Sequence, residues 1–84
     1  MSINTVAPNT LDTRGLLCPE PVMLLHKAMR GMAVGDQLQV LATDPSTQRD
    51  IPRFCEFLHH ALLEATTENE IFIYRIQKGE KKNS

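Results

Sequence analysis

The chain has no tryptophan, one tyrosine and three phenylalanines, so it lacks the interleaved aromatic and basic residues on which single-stranded nucleic acid stacks. It also lacks an excess of charge of either sign. A formal net charge of −1 offers no bulk attraction to phosphate backbones, so direct contact with DNA or RNA is not expected. No apolar run approaches the roughly 20 residues of a membrane span, and the N-terminal stretch has neither a basic start nor an apolar signal core. No membrane association is expected, and the cytoplasm is the expected location. Cysteine is scarce as well: Cys18 and Cys55, with His26, His59 and His60, form neither a disulfide framework nor a zinc-ligand spacing. Both are expected to be reduced thiols, and no metal site is expected.

At 84 residues the chain makes one domain, and a domain this small hides only about 60% of the surface its unfolded chain exposes. The core should be thin and the chain monomeric. Such a core supports a sheet covered on one face by helices but leaves little volume for an enclosed substrate and cofactor, which places any chemistry on the surface.

The pattern along the chain divides it into a loose leader (1–9), a single domain (10–79) and a solvated tail (80–84). Leu11 to Arg14 alternates and is closed by Gly15, as a first strand ending in a turn would be. From Pro19, the residues Val22, Leu25, Ala28, Met29 and Met32 recur at helical spacing, with Met23, His26, Lys27 and Arg30 on another face. Gly31 and Val34-Gly35 end that helix, and Gln37 to Thr43 alternates as a half-buried strand. Asp44-Pro45-Ser46 carries helix-start chemistry. Pro52 predicts a short turn through Asp50 followed by a restarted or bent helix whose core face is Ile51, Phe54, Cys55 and Leu58. Ala61–Thr67 and Ile71–Lys78 flank the polar turn Glu68-Asn69-Glu70 as a hairpin. The order is β-α-β-α-β-β, an α/β (α+β) two-layer sandwich with both helices on one face of the sheet.

Cys18-Pro19-Glu20-Pro21 lies between the first strand and the first helix. Proline suits the first helical position, since its missing N–H would have had no partner there, and this puts Cys18 at the N-cap. The partial positive charge at a helix start favours a thiolate, the nucleophilic form of sulfur. Between the two prolines only Glu20 offers an amide, which is expected to point at the sulfur. A thiolate so placed suits attack on the terminal sulfur of a donor persulfide, with no bound cofactor needed. Cys18 as a mere helix-start residue is the competing reading, weakened because Ser, Thr, Asp and Asn are much better neutral caps. A redox-sensing regulatory module is a second, since an exposed low-pKa cysteine serves there too.

The motif Leu11-Asp12-x-Arg14-Gly15-Leu16-x-Cys18-Pro19-x-Pro21, with Gly35-Asp36, Asp44-Pro45, Arg49-Asp50-Ile51-Pro52, Phe54-Cys55 and Lys78-Gly79, resembles the TusA (SirA-like) family of sulfur-carrier proteins. The likeness runs from about Leu11 to Gly79, and CPxP in a strand-to-helix setting is specific. The resemblance implies a two-layer sandwich with a four-stranded mixed sheet and a sulfurtransferase that carries a persulfide on Cys18. It further implies sulfur arriving from a PLP-dependent cysteine desulfurase, with PLP on the donor only. The sulfur would leave to a downstream relay protein for 2-thiolation of the tRNA wobble uridine. Other branches sharing CPxP serve sulfur oxidation or molybdenum-cofactor assembly.

Outside the motif, His26, Lys27 and Arg30 form a basic face that serves either partner docking or plain solvation. Asp44 and Arg49 are further candidates for the partner surface, although capping is the stronger expectation for Asp44 and Asp50. Cys55 shares a helix face with Phe54 and Leu58 and is expected to be core. His59 and His60 are adjacent, point about 100° apart on a helix and cannot jointly grip one metal ion. Met23, Met29 and Met32 are expected as core or edge filler.

Overall fold

In a computed structural model the described residues, 9–80, form β1 (Asn9–Thr13), α1 (Glu20–Arg30), β2 (Gln37–Ala42), α2 (Thr47–Phe57), β3 (Ala61–Glu68) and β4 (Ile71–Gln77). The sheet order is β1-β2-β4-β3, with β1 parallel to β2 and the other two pairings antiparallel. A parallel pair needs a crossover, and α1 supplies it. The expected leader over residues 1–9 lies outside the described residues except for Asn9, which opens β1 instead. Of the tail, 81–84 lies outside them too.

Period-two alternation decides which face of the sheet is covered. Leu38, Val40 and Ala42 of β2 are buried and pair across to Ile76, Tyr74 and Phe72 of β4, so one face carries the apolar set. Leu25 and Met29 of α1 and Ile51, Phe54 and Cys55 of α2 join those residues in a single cluster. Both helices therefore lie on the same face, in a body only 19 Å along its shortest axis, enough for one sheet and one layer of helices.

Two local features differ from expectation. Helix α2 is continuous from Thr47 through Pro52, where the sequence predicts a turn and then a restarted or bent helix. Pro52 sits in the second turn and removes only its own bond to the carbonyl of Gln48, while Ile51, Phe54 and Cys55 are buried on either side of it and hold the helix down. Strand β3 carries a bulge at Leu63, between the pairs Leu62↔Ile76 and Glu64↔Arg75, so an exposed edge strand is locally irregular. Its turn is the expected one: Glu68 pairs with Ile71, and Asn69 and Glu70 take φ of 51° and 65°, the left-handed pair of a two-residue hairpin.

The last described residues close the far end of α1. Lys78 Nζ donates to the carbonyls of Met29 (2.7 Å) and Met32 (2.8 Å), a cation where the helix dipole is negative. Lys78 therefore has a duty that its place beside the tail did not suggest. Gly79 follows because the backbone of His59 lies against it: an added Cβ would sit 1.7 Å from the His59 carbonyl oxygen.

Candidate functional site

The parallel pairing of β1 with β2 brings their C-terminal ends together, and the loops leaving both ends meet there. Thr13 Oγ1 donates to the Leu41 carbonyl (2.7 Å), and the Gly15 N–H donates to Thr43 Oγ1 (2.9 Å) at a φ of +86° that favours glycine. Arg14 grips Asp12 through two guanidinium bonds (2.9 and 2.8 Å) and its own N–H (3.1 Å), which holds the Asp12 carboxyl down at about 2. Asp12, Arg14 and Gly15 of the motif thus shape the turn that delivers Cys18.

Cys18 is exposed, as expected, but it is not the N-cap. The Glu20 N–H donates to the Leu17 carbonyl (2.9 Å) and closes a turn over Leu17–Glu20. The first bond of α1 runs from the Met23 N–H to the Pro19 carbonyl (3.1 Å), which makes Pro19 the N-cap and puts Pro21 inside the first turn. The sulfur stands one residue outside the cap, across a cis Cys18–Pro19 peptide, and the amide of Glu20 is spent on Leu17 rather than aimed at it.

Two carboxylates from the β2–α2 loop and the first turn of α2 hold Cys18 instead. Its N–H donates to Asp44 Oδ2, and Asp44 Oδ1 accepts the Ser46 N–H at 3.0 Å. The Ser46 and Cys18 donors keep the Asp44 carboxyl below the usual carboxylate range. Asp44 therefore staples the β1–α1 loop to the β2–α2 loop and does not cap α2, which begins after Ser46. The Cys18 thiol donates to Asp50 Oδ2 (3.4 Å), and Arg49 Nε donates to Asp50 Oδ1 (3.1 Å). Asp50 is the acidic residue in the first turn of α2, but its side chain pairs with Arg49 and meets the sulfur rather than capping the helix.

Beside Cys18 opens a cleft of about 340 Å³ lined by Pro19, Val22, Asp50, Arg53, Phe54 and Phe57. Phe57 is 81% exposed, and Leu17 (69%), next to Cys18 along the chain, and Met23 (61%), on α1, are exposed as well. Met23 is thus neither core nor filler, unlike Met29, which is buried. Phe57 lies off the Ile51-Phe54-Cys55-Leu58 stripe, and a large aromatic off the apolar stripe is the signal that marks it in the sequence.

The remaining candidates are placed as follows. His26 is exposed and sets its ring edge-on to Phe54 at 4.8 Å, near the cleft. Lys27 and Arg30 are exposed farther along α1, roughly 10 and 15 Å from its start. The site thus gathers Cys18, Pro19, Asp44, Arg49 and Asp50 but not Lys27 or Arg30. Among the described residues no group of His, Cys, Asp and Glu is arranged to hold a metal ion. No described helix is long and apolar enough to cross a membrane.

Cys55 is 3% exposed, and burial pushes its thiol up to about 11. Because the neutral form is favoured only when folded, its contribution to stability is whole below the unfolded thiol value and fades as pH rises through about 11. Stability should therefore fall by about 2–3 kcal/mol across that window. Cys55→Ala should flatten the decline between pH 9 and 11, as followed by urea melts at each pH, and should leave the reactivity of Cys18 unchanged. An equally steep decline in the variant would assign the loss to other groups.

The sequence of residues 9–78 matches the family model described as "Sulfurtransferase TusA". The chain is similar to the sulfur carrier protein TusA of Pseudomonas entomophila (strain L48), with 58% identity over 69 residues, covering 82% of this chain and 86% of that one. It is similar also to the sulfur carrier protein TusA of Pseudomonas putida (strain GB-1), with 56% identity over 68 residues, covering 81% and 85%. Among solved structures, the SirA-like protein from Desulfitobacterium hafniense superposes with a TM-score of 0.77 over 87% of this chain and 100% of its own, at 24% identity, a likeness of fold.

Proposed function

Because the chain belongs to the TusA family, we propose that it is a sulfur carrier that holds a persulfide on Cys18 and passes its outer sulfur to a partner protein. The observation that carries this reading is the placement of Cys18: exposed, braced at its amide by Asp44, and beside an open cleft with an exposed aromatic at its rim. A carrier must present one sulfur to two proteins in turn, which calls for access rather than enclosure.

The transfer balances without an added oxidant. Cys18 thiolate attacks the terminal sulfur of a donor persulfide; a sulfur–sulfur bond forms on Sγ, and the donor cysteine leaves as a thiolate. In delivery an acceptor thiolate attacks the outer sulfur and Cys18 leaves in its turn. The carbon–sulfur bond of free cysteine is broken on the donor, a PLP-dependent cysteine desulfurase, and the carrier holds no cofactor of its own. The acceptor is a cytoplasmic relay protein, and the sulfur ends at the 2-position of the tRNA wobble uridine without the carrier touching tRNA.

Incubated with a cysteine desulfurase and cysteine, the protein should gain the mass of one sulfur atom, reversible by thiol reduction, in intact-protein mass spectrometry. No gain with any desulfurase of the same cell would overturn the reading. Wobble-uridine thiolation should fall in a strain that lacks the chain and return on its re-expression; tRNA thiolated as before would reject that pathway while leaving the carrier chemistry intact. If the α1 cations guide the donor, charge reversal at Lys27 and Arg30 should slow loading several-fold at low salt and less at high salt. Unchanged loading kinetics would assign those residues to solvation alone.

A further inference from the structure

The carboxylate at the sulfur has a consequence opposite to activation. Asp50 is fixed at both ends: Oδ1 accepts from Arg49 and Oδ2 accepts the thiol proton of Cys18. The Asp50 side chain is 22% exposed and that of Arg49 62%, so the carboxylate is the more sheltered of the two and the guanidinium is screened by water. The thiol is a satisfied donor there. Loss of its proton would set an anionic sulfur 3.4 Å from a carboxylate oxygen with no hydrogen between them, an arrangement that like charges disfavour.

The other charged groups around the loop carry both signs. From the loop and first turn of α1 come Cys18 and Glu20, from the β2–α2 turn comes Asp44, which takes the Cys18 amide, and from α2 come Asp50, Arg49 and Arg53. The carboxylate of Asp50 is the charged group in contact with the sulfur. Arg49 reaches only its far oxygen, and Arg53 lines the same cleft as Cys18.

We propose that Asp50, held in place by Arg49, is a brake on Cys18: it keeps the sulfur as a thiol in the free protein, and a cationic group of a docked partner that draws the carboxylate away releases the nucleophile. Asp50 acts on the sulfur directly in this scheme, and Arg49 is the residue that positions it. The proton lost from Sγ goes to water. The inference refines the carrier reading in what it says about docking, while its central contact stands on the free chain alone.

The test is the rate at which iodoacetamide alkylates Cys18 in the full chain without any partner, followed by intact mass. Asp50→Asn keeps the shape and removes the charge; its alkylation at pH 7 should be about 3- to 10-fold faster than that of the parent chain, and its rate–pH profile should move to lower pH. Asp50→Glu, which restores a carboxylate, should stay close to the parent. Asp50→Ala, whose melting curve shows whether it is folded, repeats the measurement without the amide. An unchanged or slower rate in both neutral variants would overturn the proposal, since a carboxylate that assisted deprotonation would leave a slower thiol behind. Alkylation needs no sulfur donor, so a chain that fails to load sulfur yet shows the faster Asp50→Asn rate would defeat the carrier reading and keep this one, and the converse result would do the reverse.

Discussion

Cys18→Ser should reduce sulfur loading to background while the protein stays folded. Serine retains the backbone N–H that donates to Asp44 and a hydroxyl able to donate to Asp50, so the loop keeps its anchors. The hydroxyl, however, neither ionises near neutral pH nor forms a sulfur–sulfur bond. Cys55 cannot take over. With its thiol pushed up to about 11, only about one part in 10⁴ is thiolate at pH 7, against a few per cent for an ordinary exposed thiol, and the residue is 3% exposed. The effect is therefore all-or-none and readable by intact mass after incubation with a desulfurase and cysteine. Transfer separates the outcomes further, because a persulfide hands its outer sulfur to an added acceptor thiol, whereas an oxidised sensor would hold a sulfenate or mixed disulfide at Cys18 with no transferable sulfur. Sulfur gained by the serine variant would remove Cys18 from the centre of the chemistry.

Ile51→Ala should lower the unfolding free energy by about 2–5 kcal/mol, the usual cost of emptying a buried aliphatic site. Ile51 is fully buried where α2 meets the sheet, next to Asp50 in sequence and on the same face as Phe54 and Cys55. A small domain has a total of about 5–15 kcal/mol to lose and belongs near the lower end. At roughly 4–8 °C per kcal/mol for a chain of this size, the melting temperature should fall by about 8–40 °C. Ile51→Val, which removes one methylene, should cost only about 0.5–1.5 kcal/mol. A loss under 1 kcal/mol for the alanine variant would mean that α2 is not held by this contact. The same substitution bears on the site, since Asp50, Phe54 and Phe57 ride on α2 and reach Cys18 only while that helix is seated.

Much of the fold was legible because short-range patterns carry it. The helical spacing of Val22, Leu25 and Met29, the alternation of Leu38, Val40 and Ala42, and the polar turn Glu68-Asn69-Glu70 each lie within one element and reflect periods of 3.6 and 2. The CPxP segment was legible as the start of a helix preceded by a thiol. The cap position was not, because it depends on which carbonyl the Glu20 amide meets, and Leu17 met it first. Pro52 misled for a related reason: a rule about local hydrogen bonding gave way to burial on both sides of the proline.

By itself the amino-acid order determined the six elements, the single apolar face, the exposure of Cys18 and the burial of Cys55, since each follows from periodicity or from local backbone preference. Only the folded sheet decided what stands around the sulfur. Asp44 and Asp50 are 26 and 32 residues away along the chain, and they arrive at Cys18 because β1 and β2 run parallel and end side by side. Contacts across such separations leave no period in the sequence, so the electrostatics of the thiol is a property of tertiary structure.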